Sequence, residues 1–211
     1  MEPWSFGVSP LPEVVEFAEV VRDLTDTVLS LERAPDELRL LIGELRTARQ
    51  RLAAELPGDL APRVGTDLQD DQRVYVDHSR DIGTYNPCFP DYELRCADDE
   101  GVGSVEFPLC YEGPPGLVHG GFLAVFFDCV LQQLNCDLGL TGKTVELSLR
   151  YRRPTPLLTP LTVHAARTVD GDRIHSTAEL RRDDVVLCSA TMSAVAGERA
   201  KLPWVSPRRT P

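Results

Sequence analysis

The 211-residue sequence predicts an α+β protein, an antiparallel sheet wrapped around one long central helix, with a helical extension at the N-terminus. Three observations carry this. Residues 119–137 open with HGGFLAVFFDCVL and are apolar nearly all round, so a helix here has to be enclosed on most sides. Strand-like segments flank it, two before and four after, separated by short turns. Residues 1–66 instead repeat apolar side chains at helical spacing and end in a break rich in Pro and Gly.

Taken in order, LPEVVEFAEVVRDLTDTVLSLE spaces Val14, Val15, Phe17, Val20, Val21, Leu24, Val28 and Leu31 as an amphipathic helix does. APDELRLLIGELRTARQRLAAEL follows, with Pro35, Asp36 and Glu37 early and Arg residues late, a charge order that suits the helix dipole. Pro57, Gly58, Pro62 and Gly65 then interrupt the pattern. A helical hairpin and a linker are predicted for 1–66. Residues 1–70 carry 14 acidic side chains against 7 basic ones, a packing or interaction element with no catalytic constellation. From about residue 72 strands take over. YELRCADD and GSVEFPLCYE flank DEGVG, which predicts a hairpin turning at 99–103. The glycines of GVG lack a strand–loop–helix setting and make no phosphate loop. After the helix come TVELSLRY, LTVHAART, HSTAELRR and VVLCSATMSAV, with VDGDR and RDDV as turns. In the first of these Val145, Leu147, Leu149 and Tyr151 fall on one face and Thr144, Glu146, Ser148 and Arg150 on the other. The tail, 198–211, is Pro-rich and reads as irregular.

A net charge of -11 argues against a nucleic-acid partner, since no basic stripe could offset phosphate repulsion. Only Lys143 and Lys201 are lysines, and this Arg bias suits a GC-rich bacterial genome. MEPWSFGVSP has no basic start and no apolar segment of a secretory signal, and Leu117–Leu131 is too short to span a bilayer, so a cytoplasmic protein is expected. Six cysteines without CxxC or metal-ligand spacing read as small buried hydrophobes in a reducing compartment, and no metal site is expected. Ser104, Ser148 and Ser193 lack a nucleophile elbow, and His78, His164 and His175 have no partner at a meaningful spacing.

Asp128 is the anomaly. It stands among Phe122, Leu123, Ala124, Val125, Phe126, Phe127, Val130 and Leu131, where an unpaired carboxylate costs several kcal/mol. Gly116, Gly120 and Gly121 allow a tight entry into the helix and close approach by a ligand. The first-turn N–H groups have no intrahelical partners and suit developing negative charge, for which a thioester carbonyl becoming an oxyanion is one guest. Eight residues separate Gly120 from Asp128, ~12 Å along a helix, so the two cannot touch one reacting carbon within one chain. A two-fold dimer resolves this by bringing the Asp of one subunit to the helix start of the other. An obligate homodimer with two interfacial sites is expected, with tetramer packing left open.

The H-G-G, the acidic residue nine positions after the His, and the strand running into Y-R-R-P-T-P-L resemble the hotdog-fold thioesterases, and most closely the PaaI-type acyl-CoA thioesterases, such as thioesterase superfamily members 4 and 5. The likeness runs from about Tyr92 to Val195, and the spacing of His119, Asp128, Thr144 and Tyr151 fits without gaps. It implies a hotdog domain over 67–197 that hydrolyses acyl-CoA to a free acid and coenzyme A. Asp128 would be the base that activates water, or the nucleophile itself. The Gly120 N–H would be the oxyanion donor, with Gly121 beside it, His119 shaping the entry loop and Thr144 holding the water or Asp128. Coenzyme A enters as part of the substrate, and no metal or organic cofactor is implied.

One position departs from the pattern. Many relatives carry Asn or Gln six residues before the His, to orient the carbonyl; here that residue is Gly113, so either the orienting role is absent or another residue fills it, with Asn86 as the candidate. Arg150, Arg152 and Arg153 are either solvated strand-end charges or ligands for coenzyme A phosphates, with Arg152 and Arg153 taken as substrate-binding candidates. The rival reading is a non-catalytic acyl-thioester binder or a scaffold whose N-terminal helices recruit a partner. A hotdog hydratase fits less well, for want of its His–acid motif.

Overall fold

The computed structural model describes residues 10–56, 81–140 and 142–196. The 57–66 linker, the strand signal from residue 72, the domain boundaries at 66/67 and 197/198, and the 198–211 tail lie outside the described residues. The N-terminal pair is present as α1 (Pro12–Leu29) and α2 (Asp36–Ala54). Pro12 occupies the first turn of α1, where its missing N–H costs nothing. A one-turn helix that periodicity did not anticipate, α3 (Ile82–Tyr85), precedes the sheet.

Six strands form one antiparallel sheet: β1 (Tyr92–Ala97), β2 (Glu100–Val105), β3 (Gly142–Tyr151), β4 (Leu161–Asp170), β5 (Arg173–Arg182) and β6 (Val185–Ala196). Their spatial order is β1-β2-β4-β5-β6-β3, so β3 lies at one edge, next to β6. The long helix α4 (Gly120–Asp137) lies across the sheet. Its Phe126, Phe127, Val130, Leu131 and Leu134 are fully buried with Phe107, Val163, Leu180 and Met192. At about 1.5–3 kcal/mol for each large apolar side chain removed from water, this burial outweighs the poor helix propensity of Phe and Val. Within one chain the sheet covers only one side of α4. Phe122, Ala124, Val125 and Cys129 are half-buried, so the enclosure expected from composition is incomplete.

Two expectations about strands are corrected. The first hairpin turns at Asp98–Asp99, both with positive φ (52° and 63°), and Ala97 pairs with Glu100. The glycines expected to make the turn sit inside β2. Gly103 is there because a Cβ would stand 1.9 Å from the Glu93 carbonyl oxygen across the ladder. Beyond Val105 the expected strand stops, and Leu109–Tyr111 form a 3-10 turn after Pro108. The second correction concerns β3, whose alternation is broken by a bulge. Thr144 pairs with Ala194 and Glu146 with Ser193, leaving Val145 as the extra residue, 66% exposed. The bulge moves Thr144 from the outer face to the face of Leu147, Leu149 and Tyr151, which looks onto α4.

The cysteines are all free, as expected, and Cys136 and Cys188 are buried, but Cys88 is exposed. His175 does have a partner, Ser193 across the β5–β6 ladder, with Nδ1 3.2 Å from Oγ.

Candidate active site

Asp128 projects from the middle of α4, where the inward-turned Thr144 meets it. The Thr144 hydroxyl donates to Asp128 Oδ1 (3.0 Å) and accepts from Gln132 Nε2 (2.6 Å). Gln132 also donates to the Gly142 carbonyl (3.2 Å), tying the helix to the start of β3. Gln132 was missed at the sequence level. The signal was available: it lies four residues after Asp128, on the same face of the helix.

The other functional end is the start of α4. His119 is its N-cap, and Nδ1 of the ring accepts the Gly121 N–H (3.0 Å), so while that bond holds Nδ1 carries no proton. The His119 carbonyl accepts from Phe122 (2.9 Å) and Leu123 (3.3 Å). Of these first-turn amides, the Gly120 N–H has no acceptor among the described residues, which makes it the one aimed outward. Tyr151, at the far end of β3, donates to the Gly120 carbonyl (2.9 Å), and its ring would stand 3.2 Å from any Cβ at position 120. Partial desolvation raises the Tyr151 phenol above its ordinary value, and the hydroxyl stays a donor at neutral pH. One strand therefore serves both the middle and the start of the helix, Thr144 at the carboxylate and Tyr151 at Gly120.

Gly113 has a structural cause. A Cβ there would lie 2.8 Å from His119 Cα and 2.9 Å from His119 Cβ, so an Asn or Gln side chain cannot be accommodated while the loop keeps this course. Asn86 uses its side-chain oxygen locally, accepting from the Cys88 N–H (3.1 Å) in an Asx turn. Arg152 and Arg153 follow Tyr151 directly and are exposed; both of their backbone N–H groups donate to the Leu187 carbonyl (2.9 and 3.0 Å), which fixes this strand end beside the helix start. Among the described residues no three His, Cys, Asp or Glu side chains converge as a metal-binding group. Cys129, next to Asp128, is pushed up to about 12 by burial and then by the Asp128 charge, so it stays a thiol and no thiolate nucleophile adjoins the carboxylate. A surface groove lies elsewhere, at the β1 edge by Asp81, Asp91 and Arg95, and touches none of these residues.

A six-stranded antiparallel sheet across one long helix, with a carboxylate in the middle of that helix and an open amide at its start, defines a hotdog-fold protein. A solved thioesterase superfamily protein shares 31% identity with this chain, over 92% of this chain and 97% of that one, with a TM-score of 0.74. The chain belongs to the thioesterase superfamily. No protein-family model matches it. More distant likenesses include a hypothetical thioesterase of Streptococcus pneumoniae with coenzyme A (21% identity, 52% of this chain and 90% of that one, TM-score 0.48). Another is a Streptococcus mutans protein bound to acetyl-CoA (15%, 53% and 92%, TM-score 0.49). Both are too remote to bear on what this chain binds. Among the described residues no helix is long and apolar enough to cross a membrane.

Proposed function

We propose that the protein hydrolyses acyl-CoA thioesters to a free acid and coenzyme A, at a site completed by a second copy of the chain. The observation that carries this is the pairing on one unbroken helix of a carboxylate held by Thr144 and an outward amide at Gly120. Their ~12 Å separation along the axis requires two chains for one reaction centre. β3 offers an edge for that pairing, with Val145 and Tyr151 exposed and the flank of α4 half-covered beside it.

In this reading Asp128 of one subunit takes a proton from water as the oxygen attacks the thioester carbon; with Oδ1 engaged by Thr144, Oδ2 is the oxygen placed to receive it. The carbonyl oxygen gathers negative charge opposite the Gly120 N–H of the other subunit, where the helix dipole adds to the donor. Collapse of the tetrahedral intermediate breaks the C–S bond, and the departing sulfur takes the proton. Direct attack by Asp128 through an anhydride uses the same groups. Arg152 and Arg153, beside the helix start, face the phosphates of coenzyme A, and no metal or organic cofactor takes part. Asp128→Asn tests the proposal by thiol release across acyl-CoAs of graded chain length: kcat should fall roughly 10²–10⁴-fold. Unchanged turnover refutes the mechanism. Binding of acyl-CoA without thiol release by the wild type makes the protein a binder.

A further inference from the structure

We propose that Asp26 of the N-terminal helix α1 is a positioning residue for the oxyanion end of the site, acting through the 3-10 turn at Leu109–Tyr111. This rests on the reading of the Gly120 amide as the oxyanion donor. Helix α1 is thereby part of the catalytic unit and not an appended module.

The chain of contacts is continuous. Both oxygens of the Asp26 carboxylate accept backbone N–H groups, Oδ2 from Leu109 (2.9 Å) and Oδ1 from Cys110 (2.8 Å). These are the first amides of a turn whose own N-cap, Pro108, gives no side-chain cap. Asp26 thus caps, from 83 residues upstream, a turn that cannot cap itself. One helical turn earlier Arg22, buried, donates to the Gly83 carbonyl (2.6 Å) and stands 3.6 Å from Asp91, so α1 is anchored on α3 by the same face. Downstream, the carbonyl of Tyr111 accepts the His119 N–H (2.9 Å), and the Tyr111 ring meets Phe122 edge-on at 4.9 Å. Gly113 presses against His119 with no room for a methyl group. A displacement of the turn therefore passes directly to the N-cap of α4 and to the direction of the Gly120 N–H. An oxyanion donor has to be placed to a few tenths of an ångström, so a small shift here changes transition-state binding more than substrate binding.

The test compares Asp26→Ala with Val163→Ala, a core truncation in mid-sheet chosen to cost comparable stability outside the contacts that run from α1 through the 3-10 turn to His119. Steady-state thiol release and hydrogen exchange across His119–Leu123 are measured on both, well below their unfolding temperatures. The expected result for Asp26→Ala is a fall in kcat of about tenfold with KM within twofold, and faster exchange at His119–Leu123 than in Val163→Ala. Asp26→Asn, which keeps one acceptor oxygen, should fall between; it also serves if the alanine variant does not fold. Equal kcat and equal exchange in the two variants overturn the proposal. Faster exchange in Asp26→Ala, with a wild type that releases no thiol from any acyl-CoA, supports the coupling and refutes the proposed hydrolysis instead.

Discussion

Thr144→Val removes one hydroxyl and keeps the shape of the side chain, and its effect can be worked from the contacts. The hydroxyl donates to Asp128 at 3.0 Å while accepting from Gln132 at 2.6 Å. A hydrogen bond to a charged group contributes about 1.5–3 kcal/mol. Thr144 is exposed, so water can partly replace it, and the lower part of that range applies. Loss of about 1.5–2 kcal/mol from the transition state lowers kcat roughly 10- to 30-fold. Gln132 keeps the Gly142 carbonyl as an acceptor, so the start of β3 should stay in place and KM should change little. The assay is thiol release at saturating acyl-CoA, with Thr144→Ser as the control that restores the hydroxyl and should remain within about threefold of wild type. A Thr144→Val enzyme with kcat within twofold of wild type refutes the claim that this bond holds the carboxylate in its reacting position.

Arg167 donates to the carbonyls of Asn135, Leu138 and Leu140 at the end of α4 and pairs with Asp99; its side chain is 6% exposed whereas that of Asp99 is 62% exposed, so its value lies in the carbonyls. Arg167→Ala should cost about 2–4 kcal/mol in urea unfolding, the sum of three lost hydrogen bonds to carbonyls, and a loss under 1 kcal/mol contradicts the capping role. Gly113→Asn, which installs the residue type expected from the family resemblance, should lower stability by about 1–3 kcal/mol and lower activity, because the new Cβ meets His119; a gain in activity shows that the loop can move. Cys129 is held at about 12 in the folded chain against an ordinary value of 9.0, so the unfolded chain loses this proton first as pH rises. Its contribution is intact below pH 9 and disappears between pH 9 and 12; the melting temperature should fall over that window, and less steeply in Cys129→Ala. Equal slopes in the two proteins contradict the assignment.

The helix, its glycine-rich start and the carboxylate at its middle were legible because they are local: apolar residues on every face, glycines at the start and one carboxylate eight residues after Gly120. What escaped reading was set by distant partners. The glycines of β2 look like turn residues, but Gly103 answers to the Glu93 carbonyl on the next strand, while the turn falls to two aspartates that tolerate positive φ. TVELSLRY alternates so cleanly that nothing in it announces the bulge at Val145, which depends on pairing with β6 and decides whether Thr144 sees Asp128 at all. Gln132 and Asp26 were overlooked for different reasons. Gln132 stood at a readable i+4 spacing, whereas the partners of Asp26 lie more than 80 residues away. The empty position at Gly113 was noticed, but its cause, the path of the chain beneath His119, belongs to the tertiary structure.

In the proposed site each reaction centre takes Asp128 from one chain and the Gly120 amide from the other, and hybrid dimers test this directly. Gly120→Pro deletes the donor where the backbone suits proline, at the first residue of α4 after an extended His119 (φ -65°, ψ 132°); the new Cβ meets the far end of the exposed Tyr151 side chain at 3.2 Å, which has to move by a few tenths of an ångström. Asp128→Asn and Gly120→Pro chains, each inactive alone, are coexpressed with different tags. Random pairing makes about half of the dimers hybrids, and each hybrid carries one site with both native groups and one with neither. The mixture should recover about a quarter of wild-type activity and the purified hybrid about half. A hybrid as inactive as its parents contradicts the shared site.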